Sequence, residues 1–178
     1  MHRRGVVAGA LSVATAGCVD RLHDLAASTP RDLRVRSRYV DGNPFVAGES
    51  IRSRPEELPT HAASFRSTRE ARLAVRSDAE SALAFIEETP FVDDGGEAVC
   101  VVTQRVTAPE IELRLASISR IGDRSLRIAV DEAGARGETG ADDEELVIKT
   151  LLIRLTDERG LPERVVVSID GERAGITI

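Results

Sequence analysis

From Glu97 to the C-terminus, apolar and polar residues alternate in short runs separated by Gly, Asp and Pro. A period of two puts every second side chain on one face of an extended strand. Such strands must bury that face, so a series of them restricts the chain to stacked sheets or a barrel. Residues 98–106 read as one strand. Residues 110–119 read as the next, with Ile111, Leu113 and Leu115 in alternation. Gly122 and Asp123 turn the chain into residues 125–130, where Leu126, Ile128 and Val130 point inward. Residues 131–143 are Gly-rich and acidic, a loop. Residues 145–156 are apolar on both faces, which marks a central strand. A turn at 157–162, a strand at 164–169, a turn at Asp170-Gly171 and a short end strand at 174–178 complete the series.

Upstream, residues 33–40 also alternate. Leu33, Val35 and Tyr39 share one face, with Ser37 between them; Arg34, Arg36 and Arg38 share the other. Residues 41–44 form a turn. Residues 45–64 hold Pro55 and Pro59 and read mainly as loop. Ala71, Leu73 and Val75 fit either strand or helix. Ser77-Asp78-Ala79-Glu80 has the spacing of a capping box, in which a serine and a glutamate satisfy the first free amides of a helix. Ala79, Leu83 and Ile86, with Ala82 beside them, predict a helix over 78–88, stopped by Thr89-Pro90. The expected fold is mainly β: an antiparallel β-sandwich or barrel-like sheet with one short helix packed on it. Residues 33–178 form one domain in this reading, on a prior of roughly 100–200 residues per domain. Its expected core contains Leu113, Leu115, Ile128, Ile148, Leu152, Val165 and Val167, covered in part by Leu83 and Ile86.

The first eighteen residues have a different character. Arg3 and Arg4 precede a weakly apolar run rich in Ala, Gly, Ser and Thr, which ends at Cys18. The run is shorter than the roughly 20 residues that cross a bilayer. A charged start, a short apolar stretch and small residues before a cysteine form an export signal. Thr15-Ala16-Gly17-Cys18 resembles a lipobox, and Arg3-Arg4 before a weak apolar run resembles a twin-arginine signal. The resemblance implies a signal peptide at 1–17 and a covalent membrane-lipid anchor on Cys18. It also implies a tether at 18–32, with the domain on the outer face of the cytoplasmic membrane. An uncleaved signal anchor, or a buried N-terminal helix with an incidental cysteine, are the other readings of this segment.

The chain carries a formal charge of −6, and loss of Arg3 and Arg4 would leave −8. Lys149 is the only lysine; the other basic residues are arginine. This composition resembles that of proteins from salt-loving archaea, where surface acid maintains solubility. GC-rich coding would bias the sequence the same way. The order of a helix ending near Thr-Pro-Phe, then successive strands and a late Val-rich strand, is similar to a module of haloarchaeal surface lipoproteins. It is also loosely similar to the C-terminal domain of the protease-complex subunit PrcB, over residues 80–170. Gln104 to Pro109 stands where that domain has Thr-Gly-Gly-Tyr, so no functional residue is carried over.

No catalytic, cofactor-binding or metal-ligating residue is expected. His23 falls in the tether and His61 in a loop, with Ser64 three residues on; there is no Gly-x-Ser-x-Gly elbow. Two scattered histidines and a cysteine do not make a zinc site. Asp94-Gly95-Gly96-Glu97 lacks the lysine and the following helix of a phosphate loop. Cys100 lies in an apolar run, which predicts a buried, inert thiol. With Cys18 lipidated, Cys100 has no disulfide partner. Aromatic residues are few, Tyr39, Phe45, Phe65, Phe85 and Phe91, with no Trp. Scarce stacking groups and net acidity exclude a nucleic-acid partner. Asp93-Asp94 and Asp142-Asp143-Glu144-Glu145 read as solvated acidic faces, without EF-hand spacing. The arginine stripe of residues 34, 36 and 38 reads as a solvent-facing strand face paired with acids of a neighbouring strand. Contact with anionic headgroups is its other reading. The expected function is that of a non-enzymatic, lipid-anchored extracytoplasmic β-domain, a structural or interaction module whose protein partner the sequence does not name. The alternative is a solute-binding accessory lipoprotein, or an accessory subunit of a surface protease or transport complex.

Overall fold

The computed structural model describes residues 29–46, 60–134 and 146–178. Arg3, Arg4, Cys18, His23 and the acidic run Asp142 to Glu145 lie outside the described residues, as do the signal peptide and most of the tether.

The elements are β1 (Leu33–Asp41), β2 (Thr60–Phe65), α1 (Thr68–Ala74), α2 (Glu80–Glu87), β3 (Ala98–Thr107), β4 (Glu112–Arg120), β5 (Ser125–Ala133), β6 (Val147–Asp157), β7 (Arg164–Ile169) and β8 (Glu172–Thr177). Two four-stranded sheets result, ordered β1-β6-β3-β2 and β4-β5-β7-β8. They are not closed into a barrel, which corrects that part of the expectation. Nor is the pairing wholly antiparallel: β5 and β7 run parallel. Parallel neighbours need a crossover. Here the crossover is β6, which the chain inserts into the other sheet before returning.

The inward faces of the two sheets share a core of Leu33, Val99, Val101, Leu113, Ile118, Leu126, Ile128, Leu151, Ile153, Val165 and Val167, among others. A β-bulge between Leu115 and Ser117 shifts the register of β4. It moves the inward phase from Leu113 to Ile118, so Leu115 is only partly buried. The expected core otherwise stands, except that Leu83 is also only partly buried.

The first sheet is buried on its other face too. Cys100 and Val102 of β3 and Leu152 of β6 meet Phe45, Phe65, Ala71, Ala82, Phe85, Ile86 and Phe91 in a second core beneath the helices. This explains why β3 and β6 read as continuous apolar runs.

Two helices cover that face, not one. Ala71 and Leu73 are helical, while Val75 caps the helix in extended conformation and bridges Phe45. Ser67 caps α1, its side chain accepting from the Glu70 amide at 3.1 Å. Glu70 in turn accepts from the Arg66 amide at 3.2 Å. The capping motif is therefore Ser67 to Glu70. Ser77 to Glu80 does not form one: α2 starts after Ala79, which makes no side-chain cap. Asp78 instead holds Arg76 at 2.9 Å through Nε. Residues 60–65 are strand, where a loop was expected. Its outer residues, Thr60 and Phe65, are buried and four intermediate positions separate them, so no clear alternation marks it.

Candidate functional site

The outer face of the first sheet is covered by helices along only part of its length. Beyond the C-terminal end of α2 the face is open, and a groove of about 610 Å³ lies there. Its floor is Arg34 and Arg36 of β1 with Arg154 and Thr156 of β6. Its wall is the turn from Pro90 to Glu97. A short 3₁₀ turn, Val92–Asp94, shapes that wall and ends at Gly95 with φ +87°. Gly96 packs so closely that a Cβ would stand 2.1 Å from the Pro90 carbonyl oxygen. The two glycines thus let the wall fold back onto itself.

Arg36 and Arg154 are direct cross-strand partners in the β1–β6 register. Directly opposed like charges on a sheet repel. This corrects the expected pairing of the arginine stripe with acids on a neighbouring strand. Among the described residues, Arg34 alone of the three meets carboxylates, and both come from loops: Glu97 at 3.6 Å and Glu158 at 4.0 Å. Arg38 lies over the Phe85 ring at 5.7 Å and donates to the Ser81 carbonyl at 3.3 Å.

Arg154 is held rigidly. Its Nε donates to Thr89 Oγ1 at 3.1 Å and its Nη2 to the Phe85 carbonyl at 3.3 Å. The Phe85 ring lies beneath it at 5.0 Å. These contacts place a cation at the C-terminal end of α2, where the helix dipole favours one. Its side chain is 12% exposed, and Glu88 lies 3.9 Å from it. Burial, then the charges of Arg36 and Arg38, pull its pKa down; Glu88 offsets part of this. Arginine stays protonated throughout the accessible range.

The candidate nucleophile and base do not come together. Cys100 is fully buried under the helices, and desolvation pushes its thiol up to about 12. His61 and Ser64 lie in β2, not in a loop, and three residues along a strand point to opposite faces. Among the described residues, no group of three or more His, Cys, Asp or Glu could hold a metal ion. Asp93 and Asp94 are more than a solvated face. Asp93 pairs with Arg66 at 3.1 Å, and Asp94 accepts from the Thr68 amide at 2.7 Å, at the start of α1. That amide hydrogen bond holds the Asp94 carboxyl below its ordinary pKa.

Three further charge clusters tie the fold together. Arg120 holds Asp157 through two contacts at 2.7 and 2.9 Å. Arg105 meets Glu132 and Glu172, each at 2.7 Å. Lys149 meets Asp41 at 2.7 Å and the Pro109 carbonyl at 2.5 Å. Sequence reading names Arg34, Arg36 and Arg38 but misses Arg154. Its signal was a lone charge inside the apolar run Leu151-Leu152-Ile153-Arg154-Leu155.

Scans against protein-family models, curated proteins and solved structures give no match to this chain. Among the described residues, no helix is long and apolar enough to cross a membrane.

Proposed function

We propose that this chain is a lipid-anchored, extracytoplasmic β-sandwich that binds a solute and performs no chemistry on it. The groove carries this reading, because its polar floor consists of binding groups. Guanidinium groups donate hydrogen bonds and attract anions, but they do not serve as bases or nucleophiles at ordinary pH. Convergent polar groups in a concavity, here between the sheet and the Pro90 to Glu97 turn, are the usual mark of a ligand site. They favour a solute-binding module over a purely structural one. The anchor rests on the sequence alone: Arg3, Arg4, the weak apolar run, and Cys18 behind small residues.

Fractionation and native mass spectrometry test both halves. Cys18→Ser should leave precursor of full size or release protein to the medium, and Arg3→Lys with Arg4→Lys should trap precursor in the cytoplasm. Protein extracted from membranes should carry a small non-covalent mass. Unchanged membrane association of Cys18→Ser together with unchanged size would overturn the anchor. A bare chain mass would overturn the binding reading.

A further inference from the structure

We propose that the groove between β1 and the Pro90 to Glu97 turn is a receptor site for a phosphate or sulfate group, clamped between Arg36 and Arg154. The inference rests on the binding reading above and names its ligand chemistry; it does not depend on the anchor.

The placement of charge is the first argument. The Arg36 side chain is exposed and, among the described residues, makes no side-chain hydrogen bond or ion pair. It nevertheless stands directly across from Arg154, in a chain with excess acid. Repulsion between opposed cations lowers the stability of the empty site. A dianion between them turns that repulsion into two attractions.

Preorganisation is the second. Thr89 Oγ1, the Phe85 carbonyl and the Phe85 ring fix the Arg154 guanidinium in one orientation. Nε and Nη2 point to the protein, and Nη1 is left without a protein acceptor among the described residues. Two guanidinium groups, one fixed by its contacts and one exposed, suit the several acceptor oxygens of a tetrahedral oxyanion. Lysine would supply only a point charge.

The third is the geometry of competing groups. Glu97 stands at the rim and pairs with Arg34, both side chains being mostly exposed. Such a pair is weak and swings aside at little cost. The groove amides cannot join the clamp: those of Gly95, Gly96 and Glu97 already donate to Val92, Phe91 and Pro90 carbonyls. Specificity therefore falls on the arginines.

The test titrates the full chain, in detergent and at constant ionic strength set with potassium chloride, with inorganic phosphate and sulfate. Vesicles containing phosphatidic acid form a parallel arm. Saturable binding of inorganic phosphate supports a small soluble ligand. Saturable binding to the vesicles alone supports the same chemistry on a lipid headgroup. In either case Arg36→Gln should weaken binding at least about tenfold, while raising the thermal midpoint of the ligand-free protein. Glu97→Gln should tighten binding. Arg127→Gln, an exposed arginine on the outer face of the second sheet, should change nothing. Absence of saturation in both arms would overturn the proposal, as would equal losses in Arg36→Gln and Arg127→Gln. Were phosphate inert while extracted protein still carried a solute mass, the ligand class would fail and the binding reading would stand.

Discussion

Arg105 of β3 and Glu132 of β5 form an ion pair across the gap between the two sheets, with Nε 2.7 Å from Oε1. Both side chains are about nine-tenths buried, at 11% and 9% exposure. Arg105 also reaches Glu172 of β8, and Thr60 joins the same cluster. A buried pair adds little net stability, but breaking it leaves an unbalanced charge. Glu132→Gln should therefore destabilise the protein by about 3 kcal/mol, somewhat less where Glu172 compensates. The apolar pair Arg105→Met with Glu132→Leu should regain most of that loss. Denaturant midpoints of the three variants check the order.

The start of the helical layer separates two serines that look alike in sequence. Ser67 caps α1 and Ser77 caps nothing. Ser67→Ala should cost about 1 kcal/mol. Ser77→Ala should stay within about 0.5 kcal/mol, as for an ordinary surface change. Equal losses in thermal unfolding would place the capping box back at Ser77.

Strands with one wet face were legible because alternation reports directly which face is buried. Leu33, Val35 and Tyr39, and likewise Leu126, Ile128 and Val130, fall where the pattern puts them. The strands of the first sheet hid more. Most of β3 and β6 is buried on both faces, so their runs show burial but not which core each residue joins. The parallel β5–β7 pair was not legible, because pairing depends on the chain switching sheets at β6. The groove was half legible. Period two puts Arg34, Arg36 and Arg38 on one face, but only register can set Arg36 against Arg154. The wall formed by Gly95 and Gly96 looked like an ordinary turn, since close approach to Pro90 is a tertiary fact.

Cys100 belongs to the core under the helices, not to any site. Its thiol lies at about 12 because burial disfavours the thiolate, which is the reactive form. It should resist a thiol reagent in native protein and react at once in denaturant. Leu152→Ala, in the same core and fully buried, should cost about 2–5 kcal/mol. It should also expose Cys100 to the reagent before global unfolding. Fast labelling of the native wild type would contradict this placement.

Lys149 is buried while its partner Asp41 is mostly exposed, at 4% and 77%. The asymmetry decides which half matters more. Lys149→Met leaves a carboxylate that water can solvate. Asp41→Ala leaves an ammonium with the Pro109 carbonyl and Tyr39 as its remaining partners. Asp41→Ala should thus cost about 3 kcal/mol, and Lys149→Met clearly less. The pH dependence follows from the same pair. The Lys149 hydrogen bond holds the Asp41 carboxyl below its ordinary 3.8, with burial opposing. Its contribution is present above that value and is lost as pH falls through the lowered one. For Lys149, burial alone would lower the pKa, but hydrogen bonds with Asp41 and Tyr39 and their charges raise it above 10.5. That contribution is complete below 10.5 and disappears as pH rises through the raised value. Subtracting the stability curve of Lys149→Met from that of the wild type should leave a plateau between these limits, falling at both ends. A difference that is flat from pH 3 to pH 11 would mean that Lys149 contributes by packing alone.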